Sequence, residues 1–124
     1  MLGDSTVAAS VAVSDINKAK DFYGQTLGLK QIDENPGGVS YQSGEGKIFV
    51  YQAPTAGSGQ ATCASWDVAN IEEVVKALGE KGVTFEHYDM PGGQRDGDIH
   101  VMGGMKGAWF KDPDGNILGL AHTG

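Results

Sequence analysis

Residues 109–122 read WFKDPDGNILGLAH, and the rest of the chain can be interpreted outward from this stretch. Two apolar runs flank the polar segment 111–116. Pro113 fixes φ at an early turn position, Asp112 can accept hydrogen bonds from the turn backbone, and Gly115 tolerates positive φ. The stretch therefore predicts a β-hairpin with an apolar strand on each side.

The bulk composition indicates one globular domain over residues 1–124. Nine Lys and Arg residues stand against 16 Asp and Glu, giving a net charge of −7, which argues against nucleic acid as a partner. No run approaches the ~18 apolar residues of a membrane span. The first ten residues lack the pattern of a signal peptide. A lone cysteine, Cys63, cannot form an intrachain disulfide, so we expect a cytoplasmic protein.

The chain divides into two halves that predict the same order of elements, βαβββ. The first module covers about residues 5–54 and the second about 60–124, joined by the small, turn-forming segment 53–60. The predicted elements of the first module are a strand at 6–13, a helix from Ser14 or Asp15 to Gly28, and strands at 29–33, 38–42 and 47–52. Those of the second are a strand at 61–68, a helix with the apolar stripe Ile71, Val74, Val75 and Leu78, a strand at 83–88, a polar excursion at 89–102 and the closing hairpin.

The two halves also align as an internal repeat. Asp15-Ile16 matches Asn70-Ile71 at an offset of 55 residues, and segment 46–49 matches segment 115–118 at an offset of 69. The offsets differ by about the length of the polar excursion. Common architecture in the two halves is the simplest explanation.

Two segments, VAVSDINKAKDFYGQTLGL (11–29) and WFKDPDGNILGL (109–120), resemble the vicinal oxygen chelate superfamily. This superfamily includes glyoxalase I, extradiol dioxygenases, fosfomycin-resistance enzymes and bleomycin-resistance proteins. The resemblance implies an α+β fold in which paired βαβββ modules form a half-barrel around a cavity. It also implies a homodimer.

Metal-dependent members of the family hold a divalent ion with four inward side chains. Carried over by the resemblance, these positions fall on Ala8, Val50, Cys63 and Gly119. Three of the four have no side chain that can bind a metal, and a catalytic ion needs about three protein ligands. Shifting each position by one residue does not provide a metal site either, since it gives Ala9, Tyr51, Ala64 and Leu120. We therefore expect no metal, no cofactor and no catalytic residue at the inherited site.

The side chains expected around the cavity suit a small organic ligand instead. Ala8, Ser10 and Ala12, with Cys63, Ser65 and Gly119, are small and leave room. Trp109 supplies an aromatic wall. Tyr41, Tyr51 and Trp66 are further candidates, although alternation directs some of them towards the helices and a core position suits Trp66 better. An acidic rim suits a flat or cationic compound. We expect Cys63 to be a small buried thiol rather than a nucleophile. The predicted ligand-binding residues are Ser10, Gln52, Cys63, Ser65, Asp67 and Trp109, and the predicted function is sequestration of the kind bleomycin-resistance proteins perform.

Two alternatives remain open from the sequence. Asp96, Asp98 and His100 alternate within the excursion, so in an extended chain they would share a face, and His87 could lie near them. A relocated metal site there would make the protein a glyoxalase-like or dioxygenase-like enzyme, whereas a solvated loop is the simpler interpretation. The second alternative is an interaction module with a closed cavity. His87 and His122 could also serve as general bases, although a structural role suits each.

Overall fold

The computed structural model describes residues 2–4, 7–89 and 92–122. A short 3-10 turn, Leu2–Asp4, precedes the main elements. In chain order these are β1 (Ala8–Val13), α1 (Ile16–Lys20), a π-helical segment (Asp21–Thr26), β2 (Lys30–Asn35), β3 (Gly38–Ser43), β4 (Gly46–Gln52), β5 (Thr62–Asp67), α2 (Ile71–Glu80), β6 (Phe85–Glu86), β7 (Gln94–Asp96), β8 (Ile99–Met102), β9 (Met105–Lys111) and β10 (Ile117–His122).

The first module forms a sheet in the order β1-β4-β3-β2, with β1 and β4 parallel. The Asp15 side chain begins α1 by accepting hydrogen bonds from the backbone N–H groups of Asn17 and Lys18. The helix then widens into the π-helical segment, in which the Leu27 N–H bonds to the Phe22 carbonyl, and Gly28 follows with φ of 74°. The predicted helix is present, but its second half has the wider winding.

The second module forms a sheet in the order β5-β10-β9-β8-β7, with β6 also paired to β9. The expected strand at 83–88 is reduced to two residues, and the polar excursion is not simply a loop, because it contains the β7–β8 hairpin. β6 pairs with Trp109 and Phe110 in β9, whereas β8 pairs with residues 105–107 of the same strand. β6 and β8 therefore occupy successive lengths of the same edge of β9, and the excursion begins between them.

One hydrophobic core joins the helices to both sheets. Val11 and Val50 in the first sheet, and Phe110 and Leu118 in the second, are buried together with Tyr23 of the helical segment. The side chains that alternate with these strand residues lie on the opposite side, which we call the open face. The α+β fold of paired βαβββ modules, predicted from the resemblance, is confirmed.

The DPDG turn connects the modules through a buried carboxylate. Asp112 is 5% exposed and accepts hydrogen bonds from the Tyr23 hydroxyl at 2.8 Å and from the backbone N–H and side-chain amide of Asn116 at 2.9 and 2.8 Å. The Asn116 amide also donates to the Ala12 carbonyl at 2.8 Å. Burial and the nearby Asp112 charge raise the pKa of Tyr23, so its hydroxyl stays a donor. The turn thus fixes β1 and the π-helical segment of the first module against the second module.

Candidate functional site

The open face is one continuous surface across both sheets, because β1 and β5 lie side by side where the modules meet. Ser10 in β1 is paired with Phe49 in β4, and Ser65 in β5 is paired with Gly119 in β10. Ser10 and Ser65 are exposed. The centre of the surface therefore consists of small side chains, with larger ones on both flanks.

An aromatic cluster forms the flank on the second module. The Trp109 ring centroid lies 5.1 Å from that of His100 and 5.6 Å from that of Tyr88, in both cases edge to face. Tyr88 and His100 are close to parallel, with centroids 6.1 Å apart. We call Tyr88, His100 and Trp109 the aromatic cluster. It presents ring surface of the kind that binds flat organic molecules.

The Trp109 indole lies flat over two glycines. A Cβ atom built on Gly107 would come within 3.1 Å of the ring, and one built on Gly119 would come within 3.2 Å of its Nε1 atom. Gly119 is the position at which the family resemblance would place the fourth metal ligand. In this chain, the tryptophan ring covers that position.

The other flank is formed by Phe49 and Tyr51, whose rings stack with centroids 5.9 Å apart. Phe49 passes over Gly38, where an added Cβ would come within 2.8 Å of the ring and would also clash with the Val50 carbonyl. Val50, expected to face the cavity, is instead buried in the core. The expectation fails because the hairpin between β3 and β4 is tighter than the DPDG hairpin, so an offset counted from the glycine does not transfer. The counterpart of Gly119 is Phe49.

Cys63 is exposed, so the expectation of a buried thiol is wrong. The pairing of β5 with β10 shifts between Thr62 and Ala64 and leaves Cys63 at a β-bulge. Simple alternation along the strand therefore breaks at this residue. Partial desolvation, and then the Asp112 charge, raise the pKa of the Cys63 thiol, so it stays protonated near neutral pH. A protonated thiol is a poor nucleophile.

We predict that Cys63 reacts slowly with iodoacetamide despite its exposure. The alkylation rate should increase with pH. The midpoint of this pH profile should lie above that of free cysteine, because a raised pKa shifts thiolate formation to higher pH. Mass spectrometry of the folded protein, with N-acetylcysteine as the reference thiol, measures this directly. Faster alkylation than the reference at pH 7 would show an activated cysteine.

The remaining predicted ligand residues do not all share one surface. Asp67 is exposed at the end of β5, paired with Ala121. Gln52 is exposed at the end of β4, but its pairing with the buried Val13 places it on the helix-facing side, away from Ser10. The structure thus groups Ser10, Ser65 and Trp109, with Asp67 at the rim, and leaves Gln52 apart.

Two of the candidate aromatic residues lie on the helix-facing side. Tyr41 is buried in the core, and its hydroxyl has no hydrogen-bond partner among the described residues. Trp66 donates from Nε1 to the Ser43 hydroxyl at 2.9 Å and stacks on Phe110. Neither contributes to the open face, since both follow the alternation of buried residues in their strands.

The described residues do not bring Asp96, Asp98, His100 and His87 together as the ligands of one relocated metal site. The turn at Gly97 and Asp98 breaks the extended chain, and in the β7–β8 pairing Asp96 lies opposite Ile99 whereas His100 lies opposite Arg95. Asp96 and His100 therefore do not share a face. The His87 Nε2 atom lies 2.7 Å from the Asp98 carboxylate, and the Arg95 guanidinium lies 3.1 Å from the same ring. Within residues 2–4, 7–89 and 92–122, no group of three His, Cys, Asp or Glu side chains could hold a metal ion.

His122 has a structural contact, since its Nδ1 atom lies 2.9 Å from the Val68 carbonyl. This hydrogen bond fixes the ring at the end of β10. The structural role suggested from the sequence agrees with this contact.

Among the cavities lined by described residues, two lie on opposite sides of the second sheet. One has a volume of about 380 Å³ and lies on the helix-facing side between α2 and the loop after the π-helical segment; its walls include Leu27, Trp66, Val74 and Phe110. The other has a volume of about 440 Å³ and adjoins the aromatic cluster; its walls include Tyr88, Asp89, Arg95, His100 and Met102. We call the second the cluster cavity. Both volumes suit a small organic molecule.

Sequence reasoning missed three residues of this region: Phe49, Tyr88 and Arg95. Phe49 was recoverable, because it alternates with the buried Ile48 and Val50 in β4. Arg95 belongs to the excursion, where the β7–β8 hairpin has no clear alternation of apolar and polar residues. Tyr88 lies just before the excursion, at the end of the predicted strand 83–88. No local signal in the sequence indicated that Tyr88 would reach the Trp109 ring.

A family model described as the Glyoxalase/Bleomycin resistance protein/Dioxygenase superfamily matches residues 5–120. The chain belongs to this superfamily. The match includes both modules and the DPDG turn, whose hydrogen bonds hold the modules together. No match was found among curated proteins. No helix of the described residues has the length and apolar character needed to cross a membrane.

Solved structures with the same fold include proteins of different activities. TnmS3, an antibiotic binding protein from Streptomyces sp. CB03234, is 26% identical with a TM-score of 0.71, and the alignment covers 98% of each chain. A superfamily member from Sphaerobacter thermophilus is 27% identical with a TM-score of 0.72, over 98% of this chain and 99% of that one. A lactoylglutathione lyase from Agrobacterium tumefaciens is 16% identical with a TM-score of 0.69, over 95% and 93% of the two chains, which shows the fold alone.

Proposed function

We propose that this superfamily member binds a small planar organic molecule on its open face, without a metal ion. The observation that carries the proposal is the Trp109 indole lying over Gly119. A glutamate at position 119 is what the family's metal chemistry would need. Here, the same place presents an aromatic surface beside His100 and Tyr88.

The other inherited ligand positions support binding without a metal. Ala8 has no ligand atom, and Phe49 occupies the place that corresponds to Gly119 in the first module. The Cys63 thiol, whose pKa is raised, favours the protonated form, whereas metal coordination needs the thiolate. Sequestration needs no catalytic group, because a bound ligand is simply removed from solution. The antibiotic-binding activity named for TnmS3 is consistent with this type of function.

We further propose that a second copy of the chain closes the open face. Ala8, Ser10 and Ser65 are exposed at its centre, so a ligand resting there would have one side in water. Binding sites for small molecules usually bury most of the ligand surface. A homodimer would supply the missing wall. Sedimentation velocity with and without ligand tests this, since a monomer of 13.0 kDa in both conditions would contradict it.

A thermal-shift screen of planar aromatic compounds, cations included, tests the binding proposal. A compound that binds the folded state alone raises stability by about 2.7 kcal/mol at 100 times its Kd. The screen should be run on chelator-treated protein whose metal content has been measured. Tightly held stoichiometric metal, or stabilisation that appears only after metal is restored, would contradict the proposal.

A further inference from the structure

The cluster cavity contains a buried donor that has no partner in the described part of the chain. His100 is 3% exposed, and its Nδ1 atom is buried without a hydrogen bond. The other ring nitrogen, Nε2, accepts a hydrogen bond from the Tyr88 backbone N–H at 2.9 Å. A ring nitrogen that accepts cannot carry a proton, so in the neutral imidazole the proton is on Nδ1. The backbone thus selects the tautomer that directs a donor from Nδ1.

An unpartnered buried N–H group is costly, and in native proteins such groups usually have a partner. His100 lines the cluster cavity, and its ring also contacts Trp109. Nδ1 itself is covered in the unliganded protein, so a ligand resting on the aromatic cluster reaches it by displacing a side chain that covers it. The ligand atom that reaches Nδ1 must be a hydrogen-bond acceptor.

Arg95 favours an oxygen acceptor with negative charge or partial negative charge. It lies opposite His100 in the β7–β8 pairing, so both side chains are on the same face, and it also lines the cavity. One guanidinium nitrogen is used by the Gly97 carbonyl at 2.9 Å and by the His87 ring. Asp89 lines the same cavity and opposes a fully charged anion. With one positive and one negative side chain in the cavity wall, the site suits a carbonyl oxygen on a planar molecule, and a carboxylate is the charged form of the same acceptor.

We infer that the ligand of this protein is a planar ring system bearing a carbonyl or carboxylate oxygen, which accepts a hydrogen bond from Nδ1 of His100. This inference rests on the proposed function, because it specifies which flat molecules the open face takes. The rings stack at Trp109, and the oxygen enters the cluster cavity.

Three naphthalene probes test the inference by calorimetric titration. They are 2-acetylnaphthalene, 2-naphthoate and 2-isopropenylnaphthalene, the last of which replaces the carbonyl oxygen by a methylene group of nearly the same shape. We expect the two oxygen-bearing probes to bind the unmodified protein about tenfold tighter than the hydrocarbon, which is the effect of one buried hydrogen bond. Equal binding of the ketone and the hydrocarbon would overturn the inference and leave the proposed function standing. If none of the three binds, the proposed function fails and this inference fails with it.

Two substitutions at His100 separate its two nitrogens. His100→Asn retains a donor near the Nδ1 position, whereas His100→Gln retains an acceptor for the Tyr88 N–H and loses that donor. We expect discrimination between the ketone and the hydrocarbon to persist in His100→Asn and to disappear in His100→Gln. The reverse pattern would overturn the inference. Circular dichroism of both variants checks that they are folded.

Nitrogen-15 NMR of the unliganded protein tests the tautomer without any ligand. The His100 ring should show a protonated Nδ1 and an unprotonated Nε2. A proton on Nε2 instead would overturn the inference even if planar compounds bind, whereas it would not affect the proposed function.

Discussion

Asp112→Ala should destabilise the fold by about 3 kcal/mol, because it removes a buried acceptor shared by several donors. The carboxylate accepts hydrogen bonds from the Tyr23 hydroxyl, from the backbone N–H groups of Asp114 and Asn116, and from the Asn116 side chain. Alanine would leave several donors without a partner in a buried place. Chemical denaturation monitored by circular dichroism measures the loss in free energy of unfolding. In thermal denaturation we expect Tm to decrease by roughly 12 °C.

Tyr23→Phe is the matched control, because it removes one donor and leaves the carboxylate with its other hydrogen bonds. A loss of about 1 kcal/mol is expected, and this variant should fold even if Asp112→Ala does not. If both variants were as stable as the unmodified protein, the buried network would not be what holds the two modules together. Ligand binding by Tyr23→Phe should be unchanged, since the hydroxyl is on the side of the sheets away from the open face.

Trp109→Ala should weaken binding of planar ligands by at least about thirtyfold, because central aromatic anchors contribute about 2 kcal/mol or more to binding. The substitution removes the ring that covers Gly107 and Gly119 and contacts His100. Titration calorimetry with 2-acetylnaphthalene gives the change in Kd.

Trp66→Phe provides the matched control for this loss. The two tryptophans lie on opposite sides of the second sheet, and Trp66 lines the helix-facing cavity rather than the open face. Its substitution should change Kd by less than about twofold while removing the hydrogen bond to Ser43. Loss of binding in Trp66→Phe, with Trp109→Ala unaffected, would mean that ligands enter the helix-facing cavity.

Much of the fold was predictable from local patterns because those patterns act over short distances. The Asp15 cap, the apolar stripe of α2 and the DPDG turn each need only their neighbours in the chain, and each is present in the structure. Ser10, predicted to line the cavity, alternates with the buried Val11 in β1 and is exposed on the open face. The family resemblance then supplied the way in which the modules pair.

Register and long-range contacts were not predictable in the same way. Val50 was assigned to the wrong face because two hairpins of different length were counted with one offset. The bulge at Cys63 depends on pairing with β10, some 55 residues away, which leaves no mark in the local sequence. The contact of Tyr88 with Trp109 depends on how the excursion folds back. These three are tertiary features, and they decide the chemistry of the site.

Fluorine-19 NMR of protein containing 5-fluorotryptophan tests the central claim most directly. The chain has two tryptophans, so two resonances are expected, and Trp66→Phe assigns them. Titration with 2-acetylnaphthalene in the presence of a chelator should shift the Trp109 resonance and leave the Trp66 resonance in place, because binding occurs on the open face without a metal. A shift of Trp66 alone, or a response that requires added divalent metal, would contradict metal-independent binding at Trp109.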